Sequence, residues 1–160
     1  MNLDRESAAA RGLRRYVELV AEAVGIGADA SATQFDDPVN VYLPLERCAT
    51  AYPEHDLALI WDERYGWMLA IEVPGTVQLT VLGYLADTLL PTPPVVAEYV
   101  TRACSGAGFG QARPERHARP TDDDLADRLA AYAGRVYGAS WYRLSATVTD
   151  QPRTAASTVG

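Results

Sequence analysis

Residues 57–73, Leu57-Ala58-Leu59-Ile60-Trp61-Asp62-Glu63-Arg64-Tyr65-Gly66-Trp67-Met68-Leu69-Ala70-Ile71-Glu72-Val73, decide the fold. Leu57 to Trp61 is one apolar run with strand character, and Trp67 to Val73 is a second. The link between them, Asp62 to Gly66, is short, polar and ends in glycine, as a hairpin connection does. Alternation puts Leu59, Trp61, Trp67, Leu69 and Ile71 on one face, with the two tryptophans paired across the strands.

Two further strands flank this hairpin. Val39 to Leu45 alternates, with Val39, Val41, Leu43 and Leu45 in phase, and Pro44 marks a strand end or an edge. A loop from Cys48 to Asp56 leads into the hairpin. After the turn at Pro74-Gly75, Val77 to Leu82 forms a fourth strand, with Leu79 and Val81 on the tryptophan face. The links among the last three strands are too short for a crossover helix, so the sheet is an antiparallel meander.

Helices bracket it. In residues 9–24, Leu13, Val17, Val20 and Val24 recur at helical spacing, with Tyr16 beside them, Arg14–Glu18 as an i,i+4 pair, and Gly25 and Gly27 as stops. Residues 28–38 read as a polar loop. Pro93-Pro94 opens a second helix whose stripe is Val96, Tyr99, Val100 and Ala103. The expected fold is α+β, a two-layer sandwich: a four-stranded antiparallel meander flanked by an N-terminal and a following helix, with an extra C-terminal helix. The expected domain spans residues 8–104, followed by a linker (105–120), a helix (121–137) capped by Thr121, and an irregular, largely disordered tail (138–160).

The second sheet face carries the functional question. It is expected to present Asn40, Tyr42, Ala58, Ile60, Met68, Ala70, Glu72, Gln78, Thr80 and Leu82, which is half apolar. Such a face is open to cover by the chain's own C-terminal segment, by a second copy or by a partner, or else stays a mixed, solvated face.

Composition narrows the partner. The 160 residues hold 21 acidic and 14 basic side chains, for a net charge of −7, and every basic residue is arginine. Arginine without lysine matches the codon drift of a GC-rich genome, as in actinobacteria. The acidic balance argues against nucleic acid, and no apolar run is long enough to span a membrane. The N-terminus lacks the pattern of a secretory signal, so the expected compartment is cytoplasmic.

Chemical motifs are sparse. His55 sits in Glu54-His55-Asp56 near Cys48, but no local signature supplies a nucleophile's base or an oxyanion hole, and the reading is a loop histidine. Asp122-Asp123-Asp124 lacks calcium-loop spacing and reads as helix-start charge. Gly106-Ala107-Gly108-Phe109-Gly110 has neither a preceding strand nor the Lys-Ser/Thr of a phosphate loop. No catalytic residue, metal ligand or cofactor is assigned. Arg47, with Tyr42 and Gln78, is a candidate anion contact.

Three segments, Val39–Glu46 (VNVYLPLE), His55–Glu72 (HDLALIWDERYGWMLAIE) and Leu82–Val100 (LGYLADTLLPTPPVVAEYV), together resemble an uncharacterised actinobacterial family, the domain of unknown function 6292, over about residues 10–104. The most specific part is D-L-A-L-x-W-D-E-R-x-G-W. The resemblance implies one domain and carries over no activity.

The sequence thus points to a small, non-catalytic binding or regulatory module. Its expected contact surface is the free sheet face and the Asp62–Gly66 hairpin, with Tyr42, Arg47, Ile60, Met68, Glu72, Gln78 and Leu82 as candidate residues, and its partner is another protein or itself. Two other readings stay open. One is a small-molecule sensor or enzyme with a pocket over the same face, lined by Tyr42, Arg47, Glu72 and Gln78. The other is an acidic inhibitor or immunity-type protein that occupies a basic partner.

Overall fold

Ser7 starts the first helix, α1 (Ala8–Val24), by accepting the Ala10 N–H at 3.1 Å. Gly25 ends it with a left-handed φ of 83°, its N–H returning to the Ala21 and Glu22 carbonyls. The buried side is Leu13, Tyr16, Val17, Val20 and Val24, the stripe expected from spacing. The helix-surface pair differs: Arg15 bridges Glu18 at 2.9 Å, while Arg14 donates to the Arg5 carbonyl and lies over the Phe35 ring.

The computed structural model describes residues 1, 3–73, 75–76, 78–85, 88–114 and 122–134. Its sheet is β1 (Ala32–Gln34), β2 (Asn40–Ala49), β3 (Tyr52–Asp62), β4 (Gly66–Glu72) and β5 (Leu79–Tyr84), hydrogen-bonded in chain order and antiparallel throughout. The sheet therefore has five strands, not four. The added strand lies inside the stretch read as a polar loop. It has three residues and no apolar alternation, and its ladder partner, Asn40–Tyr42, supplies the pairing that its own sequence does not advertise.

The central hairpin has the expected register, with Leu59 opposite Leu69, Trp61 opposite Trp67 and Asp62 opposite Gly66. The preceding link is tighter than the loop foreseen from Cys48 to Asp56. Ala49 pairs with Tyr52, so the β2–β3 turn is only Thr50-Ala51, and a bulge with Glu46 at φ 47° absorbs the irregular register.

Three buried hydrogen bonds fix the tryptophan face. Trp67 Nε1 donates to the Tyr16 hydroxyl at 2.9 Å, that hydroxyl donates to the Pro91 carbonyl at 2.6 Å, and Trp61 Nε1 donates to the Leu89 carbonyl at 2.7 Å. Each polar tip in the apolar layer is thereby satisfied.

The second helix, α2 (Pro93–Cys104), buries Val96, Tyr99, Val100 and Ala103 against the same face. The third, α3 (Asp122–Ala133), packs Leu125 and Leu129 into that core and crosses α1 at Gly12, where a Cβ would overlap the Leu129 carbonyl oxygen. Thr121 and the segment 138–160 lie outside the described residues.

Candidate functional site

The other sheet face is built by register. One row across it is Tyr42, Ile60 and Met68, with Tyr84 beyond; the next is Pro44, Ala58, Ala70 and Val81; Glu72 stands opposite Leu79 in the third. None of α1, α2 or α3 packs here, since all three join the tryptophan-side core. Ala58 and Ala70 are fully buried by their neighbours and Met68 is nearly so, whereas Leu79 and Val81 are 39% and 41% exposed. Tyr42, Ile60 and Glu72 are half-buried.

The Tyr42 hydroxyl donates to Glu72 Oε1, a bond that runs diagonally across the alanine row. Partial burial, that bond and the nearby Asp56 charge push the Tyr42 phenol up to about 12. Asp56 accepts from the Cys48 thiol at 3.7 Å, and burial with the Asp56 carboxylate raises that thiol above its ordinary value. Asp56 and Glu72 have no ion-pair partner among the described residues.

The structure brings together Tyr42, Ile60, Met68 and Glu72, and separates the other three candidates from them. Arg47 follows the β2 bulge and donates to the Val24 carbonyl at 2.9 Å, closing the C-terminal end of α1 rather than facing Tyr42. Gln78 is exposed in the β4–β5 turn, where its N–H donates to Thr76 Oγ1 at 3.1 Å. Leu82 packs against the core. The cause is a register shift where Leu69 pairs with Gly83 but Ala70 pairs with Val81. That extra residue reverses the phase of β5, so Leu79 and Val81 leave the tryptophan face where alternation had put them. Gly83 was the available signal: a glycine inside a strand marks a bulge or a close backbone approach. Here it marks both, since a Cβ would overlap the Phe109 carbonyl.

The glycine-rich stretch is seated along that edge. Tyr84 and Gln111 exchange two 2.9 Å backbone bonds, and the single Tyr99 hydroxyl proton is shared between the carbonyls of Gly83 and Phe109. Ala107, Gly108 and Gly110 line a groove of about 340 Å³ together with Val95, Glu98 and Arg102 of α2. Tyr42, Arg47, Glu72 and Gln78 do not line it. His55 lies in β3, not a loop, edge-on to Tyr52. No group of three potential metal ligands occurs among the described residues, and none of their helices is long and apolar enough to cross a membrane.

The model of a family of unknown function, DUF6292, matches residues 16–102, more than half of the chain. The chain belongs to the DUF6292 family. The DUF6292 match begins at Tyr16, on the face of α1 that meets Trp67, and ends at Arg102 in α2, so it contains the whole sheet. No curated protein and no solved structure matches the chain.

Proposed function

We propose that this DUF6292 chain is a non-catalytic, cytoplasmic protein-binding module that works through the open face of its sheet. One observation carries the reading: the described helices all join the tryptophan-side core, and the opposite face holds Tyr42, Ile60, Met68, Leu79 and Val81 with no described helix over them. An apolar sheet face of this kind gains free energy when covered, at about 25 cal/mol per Å² of apolar surface removed from water. A second reading, a small-molecule site, is supported by the α2 groove, where Glu98 and Arg102 stand beside the apolar Val95. It moves that alternative off the sheet face.

The test compares what is captured by the wild-type chain, by Leu79→Asp and Val81→Asp on the face, and by Val95→Asp away from it. Partners lost with the first two and kept by the third support the sheet face. Partners kept by both face variants and lost with Val95→Asp favour the groove. Light scattering on the same four proteins reports self-association.

A further inference from the structure

We infer that the partner of the open face is a basic amphipathic protein helix, one that sets an apolar stripe on Ile60, Leu79 and Val81 and places arginine or lysine side chains at Asp56 and Glu72. This rests on the sheet-face reading above and adds the chemistry of the occupant.

The charge pattern supplies the argument. Alternation from Ala58, Ile60 and Asp62 puts Asp56 on the open face, in the row that Glu72 occupies on β4. Glu72 accepts from the Tyr42 hydroxyl, and the Asp56 charge also bears on that phenol. The arginines near the sheet margins are already engaged. Arg47 serves the end of α1, Arg64 pairs with Asp37 at 3.3 Å, and Arg113 stacks 4.5 Å over the Tyr65 ring. Two carboxylates are thus left beside exposed apolar surface with no cation from the described residues.

A second copy fits poorly. A face-to-face twofold contact sets the same patch against itself, so the second copy brings another Asp56 and Glu72 to the interface and no cation to meet them. A cationic partner gains attraction at that rim, and Tyr42 offers a ring face to a guanidinium. A helix is the occupant because it completes the layer order: helices cover one side of this sheet, and a helix about 10 Å across, laid on the other, makes a three-layer domain.

The experiment is fluorescence anisotropy of the full chain against three labelled 18-residue peptides that share one leucine stripe and carry arginine, glutamine or glutamate on the flanks. The arginine peptide is expected to bind at least tenfold tighter than the glutamine peptide, with the glutamate peptide weakest. The double variant Asp56→Asn/Glu72→Gln, which keeps an acceptor for Tyr42, is expected to shrink that preference below threefold and leave glutamine-peptide affinity unchanged. Equal affinity for arginine and glutamine peptides, a preference that survives the double variant, or no binding of any peptide overturns the basic partner. Ile60→Asp/Val81→Asp separates the two levels. If it leaves peptide affinity unchanged, the sheet-face reading itself fails. If it abolishes affinity for arginine and glutamine peptides that had bound equally, only the charge inference fails.

Discussion

The indole of Trp67 donates to the hydroxyl of Tyr16 at 2.9 Å, a buried bond that joins β4 to α1. The hydroxyl in turn donates a hydrogen bond to the Pro91 carbonyl. Tyr16→Phe keeps the ring but leaves a buried indole N–H and a carbonyl unpaired. The expected loss is about 2–3 kcal/mol, the cost of stranding buried polar groups. Urea denaturation measures it, and a loss below about 0.5 kcal/mol would mean that neither bond matters to stability.

Gly12 is required by proximity. A methyl at Gly12 meets the Leu129 carbonyl, whereas one at Gly27 meets nothing within 4 Å. Gly12→Ala is expected to cost about 1–3 kcal/mol and to speed amide exchange across α3, as overpacking does. Gly27→Ala should leave the exchange pattern as it is.

The phase of β5 gives a sharper contrast. Val81→Asp adds a charge to a half-exposed surface and is expected to change stability by no more than about 0.5 kcal/mol. Leu82→Asp places a carboxylate against the core and is expected to cost about 2 kcal/mol or more. The reverse order in thermal melts would restore simple alternation along the strand.

The Tyr42 phenol titrates at about 12, above its ordinary value of 10.0, with burial as the largest cause and Glu72 next. At pH below 10 the folded and unfolded chains both hold this proton, and stability is unaffected. From about pH 10 to about pH 12 the unfolded chain releases the proton first, so stability falls as pH rises. Tyr42→Phe should flatten that part of the profile. Glu72→Gln should lower the Tyr42 value, read from its ring carbon shift, without restoring 10.0, because burial remains. An unchanged value in Glu72→Gln would exclude the carboxylate as a cause.

Arg47→Ala removes the donor to the Val24 carbonyl. The expected cost is about 0.5–1 kcal/mol, with faster exchange confined to the last turn of α1. Loss of affinity for an inorganic anion without that local fraying would return Arg47 to an anion site.

The elements legible in the sequence are those with strong periodicity. Leu13 to Val24 shows helical spacing, and the two runs flanking Asp62–Gly66 show strand character, because each buries a full face and so needs an unbroken pattern. Strand β1 was not legible, since three residues at an edge bury little and owe their conformation to Asn40–Tyr42. The β5 bulge was hidden because it depends on how Ala70 and Val81 meet, a relation between strands rather than within one. Of the candidate face, Tyr42, Ile60, Met68 and Glu72 followed from alternation alone. Asp56 is not legible because the apolar run begins only at Leu57, five residues into β3, and the position of Arg47 is not legible because the bulge at Glu46 turns it toward α1.

The placement of the two sheet tryptophans has a practical consequence. Trp61 and Trp67 are fully enclosed on the helix side, and the open face carries tyrosines. Indole emission from this pair therefore follows melting of the helix layer and is blind to anything that settles on the far side of the sheet. Tyrosine signals from Tyr42 and Tyr84 report the opposite event. With Trp141 replaced by phenylalanine, indole emission comes from the helix side alone, and site-resolved signals of Tyr42 and Tyr84 follow the other face in the same sample.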